Sequence, residues 1–170
     1  PEESMEELAQ LALDTLKSAL DSIEASREKE GQALALVLKK NTEEFKEVLK
    51  KLDSFVEIYE KEFQIRYQKK LEEFLGAKVD EQRLLTELAI LLERGDIHEE
   101  LDRLAIHVQK LDELIEAQCP VGRELDFLIQ EMNREINTIG SKSNAIEIKN
   151  QVVQSKTILE KIREQVQNIE

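Results

Sequence analysis

Between Gly122 and Gly140 the sequence reads Gly-Arg-Glu-Leu-Asp-Phe-Leu-Ile-Gln-Glu-Met-Asn-Arg-Glu-Ile-Asn-Thr-Ile-Gly. At about 100° per residue on a helix, Leu125, Leu128, Ile129, Met132, Ile136 and Ile139 fall in one arc and face a core. Arg123, Asp126, Gln130, Asn133, Arg134 and Asn137 fall in another, bordered by Glu131 and Glu135. Two asparagines inside a helix each cost about 0.5 kcal/mol against alanine. A merely solvated face would carry Lys, Glu, Ala and Gln instead. The choice predicts directed hydrogen bonding, and a ligand or a neighbouring helix satisfies it equally well. The amides both donate and accept, and the arginines can grip a planar anion such as phosphate.

Other side chains suited to chemistry are few. His98-Glu99-Glu100-Leu101-Asp102 has the start of a zincin helix but lacks the second histidine. His107 lies beside an apolar stripe, with Glu100 and Arg103 on the same face. A lone histidine there is more often packed than catalytic, yet only histidine titrates near neutrality without perturbation. Gly140-Ser-Lys-Ser-Asn144 precedes a helix, so its amides and Lys142 can hold an anion. No Glu-x-x-His, Cys-x-x-Cys, Walker A loop, Rossmann fingerprint or nucleophile elbow occurs.

These groups need helices to position them. Among 170 residues there are two prolines, five glycines and no tryptophan, while strong helix formers dominate. The expected fold is all-α: a long antiparallel helical hairpin or coiled-coil arm over 1–76, then a compact C-terminal helical region over 77–170. In the arm, Ala9, Leu13, Leu16, Leu20 and Ile23 form an amphipathic seam that continues through Arg27, Glu30, Leu34, Val37 and Asn41. Arg27 and Glu30 on that stripe read as register devices against a partner helix, as polar seam residues do in coiled coils. Asn41 to Glu44 resembles a capping box and marks a break or a bend. The seam resumes at Phe45, Val48, Leu52, Phe55, Tyr59, Phe63, Tyr67 and Leu71, and Gly76 is the first expected stop. Asp80 caps a helix faced by Leu84, Leu85, Leu88, Leu91 and Leu92 that ends at Gly95. Asp96, with Glu99, caps another bearing Ile97, Leu101, Leu104, Val108, Leu111 and Ile115. The Cys119–Gly122 stretch breaks it. Helix 123–139 closes at Gly140, and Asn144 with Glu147 caps a last helix lined by Ile148, Val152, Leu159, Ile162, Val166 and Ile169.

Charge and composition exclude several classes. Lys plus Arg number 24 against 37 Asp plus Glu, for a net charge of −13. Residues 1–120 hold 17 basic and 29 acidic side chains; residues 121–170 hold seven and eight. The acidic excess thus lies outside the last 50 residues, which tolerate a polyanion without recruiting one. No run approaches the roughly 18 uncharged apolar residues of a membrane span. A lone Cys119 and the lack of a signal peptide point to the cytoplasm. A start at Pro1 in mid-helix predicts a piece of a longer chain.

The run Gly122-Arg123, Leu125-Asp126-Phe127-Leu128, Gln130 to Glu135, Asn137-Thr138 and Gly140 to Asn144 resembles the C-terminal signature of the bacterial YicC/YloC family. Lys161-Ile-Arg163-Glu164-Gln165-Val-Gln167-Asn168-Ile-Glu170, Arg27-Glu28-x-Glu30-Gly31 and Glu99-Glu100-Leu-Asp102-Arg103-Leu-x-x-His107 match as well. The resemblance implies a longer protein opening with an α/β domain. It also implies the activity of a metal-dependent endoribonuclease, from a family once called stress-related, in ring-like hexameric homo-oligomers. The implied positions are Arg123, Asp126, Gln130, Glu131, Asn133, Arg134, Glu135 and Asn137, with Asp102 and His107 from the preceding helix.

On that basis the expected function is cleavage of RNA phosphodiester bonds. Asp126, Glu131 and Glu135 would hold Mg²⁺ or Mn²⁺, whose hard character suits carboxylates. His107, Glu131, Glu135 and Asp102 would be catalytic. Arg123, Gln130, Asn133, Arg134, Asn137 and Lys142 would bind RNA. The alternative is a helical oligomerisation module without chemistry of its own; a chaperone-like scaffold would explain the acidic arm but not the asparagines.

Overall fold

The computed structural model describes residues 2–75, 82, 86, 96–117, 120–143, 145–167 and 169; within the first helix, side chains are described at 4–58, 61, 65, 69 and 73. Four helices are delimited among the described residues: α1 (Glu2–Leu75), α2 (His98–Glu116), α3 (Gly122–Lys142) and α4 (Ile146–Val166). No strand occurs among the described residues, and the chain is all-α.

A turn-back within residues 1–76 does not form, because α1 runs as one helix of 74 residues. Asn41 and Thr42, expected at a break, are buried in its interior. The Thr42 hydroxyl donates to the Leu38 carbonyl at 2.9 Å, a bond that lets a helix continue instead of capping it. The chain separates into two compact units, Pro1–Val37 and Leu38–Glu170. The reason lies in the seam: Leu38, Phe45, Val48, Leu52 and Val56 of α1 share one core with α2, α3 and α4. In the first unit the same periodicity finds no cover among the described residues. Leu13, Leu16, Leu20 and Ile23 are each more than half exposed.

Within the second unit, ion pairs fix directions. Lys39 reaches Glu116 at 3.0 Å and Lys46 reaches Asp112 at 2.8 Å, so this part of α1 and α2 run antiparallel. Hydrogen bonds from Lys46 to Asp112 and Glu43 hold its ammonium above the ordinary lysine pKa. Helices α3 and α4 are also antiparallel, since Asp126 faces Arg163 and Gly140 faces Val152. Gly140 does not end its helix; α3 continues to Lys142. Its missing side chain serves packing, because a Cβ there would stand 3.1 Å from Val152 Cγ1.

The apolar stripes expected for α3 and α4 are buried, Ile169 only in part. Of the α2 stripe, Ile97, Leu104, Val108 and Leu111 are buried, with Leu101 and Ile115 half-buried. The start of α2 shifts by one residue: Ile97 occupies the cap position, while Asp96 Oδ1 accepts the His98 amide at 2.9 Å. The stop at Gly76, the helix from Asp80 to Gly95 apart from residues 82 and 86, Cys119, the cap at Asn144 and the side chains of Tyr59, Phe63, Tyr67 and Leu71 lie outside the described residues.

Phe45 is fully buried while Leu16 is 58% exposed. Phe45→Ala is therefore expected to lower unfolding free energy by about 3–5 kcal/mol. Leu16→Ala should change it by no more than about 0.5 kcal/mol in the monomer. Chemical denaturation of the two variants checks the contrast.

Candidate nucleic-acid interface on helices α3 and α4

Burial of Leu125, Ile129, Met132, Ile136 and Ile139 leaves the opposite side of α3 facing outward. Arg123, Gln130, Arg134 and Asn137 are exposed there; Asp126 and Asn133 are half-buried. Gln130, Asn133, Arg134, Asn137 and Thr138 line an open groove of about 520 Å³, whose far wall is Arg163 of α4. A second hollow of about 750 Å³ is formed by Arg123, Glu124 and Asp126 with Arg163, Gln167 and Ile169 among others. Arg163 is common to both.

The local bonds show which groups are already engaged. Gln130 donates to Asp126 at 2.8 Å, and Arg163 Nε lies 3.7 Å from the other Asp126 oxygen, too far for a hydrogen bond. Arg163 Nε is buried without a hydrogen-bond partner. Asn133 donates to the Ile129 carbonyl of its own helix at 3.2 Å. Arg134 leans on Glu131 at 3.3 Å with its side chain 73% exposed. Arg123 and Asn137 make no hydrogen bond or ion pair among the described residues. Among the described residues neither asparagine side chain bonds a neighbouring helix, and Asn133 bonds the backbone of its own.

The other expected residues go elsewhere. Lys142 is not free for an anion: its ammonium bonds Glu100 at 2.7 Å and the Asp96 carbonyl at 2.9 Å, clamping the end of α3 to the start of α2. Residues 140–142 are helical, so the anion loop expected there does not form. Glu135 is buried against α2, where Arg103 Nη1 reaches it at 3.4 Å. Arg103 also pairs with Glu99, and the two carboxylates raise the guanidinium pKa above its already high value. Asp102 is exposed and His107 half-buried on α2; neither has a polar partner among the described residues, and neither lines the grooves.

The expected metal triad does not converge. Asp126 and Glu135 are nine residues apart, about 180° around α3. One faces Arg163 and the other Arg103, while Glu131 pairs with Arg134. No group of three potential ligands forms among the described residues, so these carboxylates do not fit one shared ion within a protomer. Of the catalytic set, Asp102 and His107 lie on α2 and Glu135 faces it, whereas Glu131 pairs with Arg134 of the binding set; Lys142 of the binding set lies on the α2 side.

Arg163 is the site residue that the sequence pattern missed. In the sequence it stands within the family-like run Lys161–Glu170, but without a site role. Its alignment with Asp126 and Arg134 depends on the antiparallel packing of two helices.

An all-α unit with an open, arginine- and amide-lined surface has the chemistry of a polyanion-binding module. A family model described as "Endoribonuclease YicC-like, C-terminal" matches residues 52–170. Two curated relatives are named "Probable endoribonuclease YicC". The one from Clostridioides difficile (strain 630) is 40% identical over 99% of this chain, and the one from Haemophilus influenzae (strain ATCC 51907 / DSM 11121 / KW20 / Rd) is 33% identical over 99%. This chain belongs to the YicC-like family. It spans 58% of the length of each of these relatives. No helix among the described residues is long and apolar enough to cross a membrane.

The buried Glu135 carboxylate generates a stability prediction. Arg103→Ala strands that charge, whereas Glu135→Gln removes it and leaves Arg103 paired with Glu99. Arg103→Ala is expected to melt at the lower temperature of the two in a circular-dichroism scan. The reverse order would show that Arg103 does not hold Glu135.

Proposed function

We propose that this chain is the RNA-binding part of an endoribonuclease, and that RNA phosphodiester cleavage is the activity of the protein to which it belongs. The observation carrying the proposal is the groove between α3 and α4, where arginine and amide groups face water with capacity left over. Arg123, Arg134 and Arg163 suit phosphate oxygens, and Asn133, Asn137 and Gln130 suit sugar hydroxyls and base edges. The names of the relatives support RNA as the polyanion.

His107 remains the candidate proton carrier, and Asp102 lies five residues before it, about 140° around α2. Neither lines the grooves. Divalent-metal dependence belongs to the same proposal: an ion such as Mg²⁺ or Mn²⁺ would need ligands beyond the carboxylates of α3.

Binding of a labelled single-stranded RNA to this chain, measured across salt concentrations, tests the reading. Arg134→Ala and Arg163→Ala are each expected to weaken binding and to reduce the slope of log K against log salt by about 0.7. Unchanged affinity and slope in both would remove the groove from RNA recognition. End-labelled RNA incubated with and without EDTA then shows whether this chain cleaves by itself and whether a metal is needed.

A second reading concerns assembly, and the exposed stripe of the first unit favours it. Leu13, Leu16, Leu20 and Ile23 lie on one face of α1 with more than half their surface in water. We infer that this face pairs with a second copy. In an antiparallel pair centred between Glu28 and Lys29, Arg27 of each copy meets Glu30 of the other, and Ile23 meets Leu34. The charged seam residues of the two copies are then complementary. Leu16→Glu with Leu20→Glu is expected to shift sedimentation toward monomer without changing the melting of the second unit. A parent chain that sediments as monomer at all concentrations would refute this pairing.

A further inference from the structure

Helix α3 buries Leu125, Leu128, Ile129, Met132, Ile136 and Ile139, yet Phe127 stands 64% exposed. The ring is not part of the core cluster, nor is it packed against its edge. Helical spacing puts Arg134 and Arg123 about 20° and 40° to one side of Phe127, and Glu131 and Glu124 about 40° and 60° to the other. Along the axis, Phe127 falls between the hollow at Arg123–Asp126 and the groove at Gln130–Thr138. It is an aromatic face with cations along one border and carboxylates along the other.

We infer that Phe127 is a stacking platform for an unpaired nucleobase, which makes single-stranded RNA the substrate class of this surface; the inference rests on the RNA reading above. The base lies on the ring, and its phosphates run on the arginine side, because Glu124 and Glu131 repel them from the other. Arg134 exchanges its contact with Glu131 for a phosphate, which is open to it because that pair is solvent-exposed. Charge arithmetic argues for such a contact. Residues 121–170 carry seven basic and eight acidic side chains, so this region has no net positive charge to draw RNA in, and a contact that needs no charge adds to what a few arginines supply. Stacking requires no net charge and tolerates any base. A duplex does not offer it, since paired bases are stacked on one another and present only their edges and backbone.

The test compares Phe127→Ala, Phe127→Tyr and Phe127→Trp with the parent chain, using a fluorescein-labelled single-stranded RNA and the same sequence as a duplex. Phe127→Ala is expected to weaken single-strand binding by about 5- to 100-fold. It should leave the salt slope as in the parent, because no phosphate contact is lost, whereas Arg134→Ala lowers that slope. Tyrosine and tryptophan should retain binding, and duplex binding should not respond. Phe127 lies outside the core, so the melting temperature of each variant should match the parent and exclude misfolding as the cause.

Parent-like single-strand affinity in Phe127→Ala, or an equal loss on duplex, overturns the stacking role while leaving the arginine groove standing. A change in sedimentation in place of RNA affinity assigns Phe127 to a protein contact and overturns it too. Failure of the parent chain to bind any RNA overturns the RNA reading itself.

Discussion

The close approach of α3 to α4 is the constraint on which the polar surface depends. Gly140 lets Val152 come within 3.1 Å of where a Cβ would sit, and the apolar stripe from Leu125 to Ile139 is driven into the same core. With α3 seated this way it cannot rotate without exposing several fully buried side chains, each worth about 1.5–3 kcal/mol of transfer. Its other side is therefore held toward water, and Arg163 of α4 is carried to the edge of that side. Removing the approach would widen the groove before it disturbed any residue that lines it.

Polar groups on the two flanks of α3 serve different ends. Toward α2, Glu135 and Lys142 are consumed by Arg103, Glu100 and the Asp96 carbonyl, and they tie two helices together. Toward α4 the contacts are long, local or missing: Arg163 Nε sits 3.7 Å from Asp126 without a hydrogen bond, and Asn137 has no partner among the described residues. Groups with unspent hydrogen-bonding capacity on a fixed scaffold are what ligand recognition requires, whereas the α2 flank resembles interior architecture. Carboxylates split between these flanks are also poorly placed to share an ion.

The two units use the same seam of α1 differently. From Leu38 onward its apolar residues are covered by α2, α3 and α4, and the helix is part of a core. From Leu13 to Ile23 the same spacing of apolar residues stays in water. An amphipathic stripe of this kind is stable in isolation only marginally, since helices in water depend on packing of the apolar face. The proposed pairing with a second copy supplies that packing, and the Arg27–Glu30 spacing supplies its register.

Much of this was legible in the residues themselves. Helical periodicity depends only on the angle between successive side chains, so the all-α class, the buried stripes of α3 and α4 and the outward arc from Arg123 to Asn137 follow from local spacing. The resemblance around Gly122–Asn144 led to the family for the same reason, because a signature is a linear object. What neighbours each polar side chain is another matter. Lys142 reads as an anion holder, but α2 places Glu100 against its ammonium, and Glu135 is buried where Arg103 of α2 reaches it. Arg163 belongs to a family-like run in the sequence, but only the antiparallel packing of α4 on α3 sets it beside Asp126. Asn41 looked like a cap, yet the helix ran on, because burying Leu38, Phe45 and Leu52 together outweighs one local capping bond. Pairings between helices are set by packing of whole faces, and no single stretch of sequence carries that information.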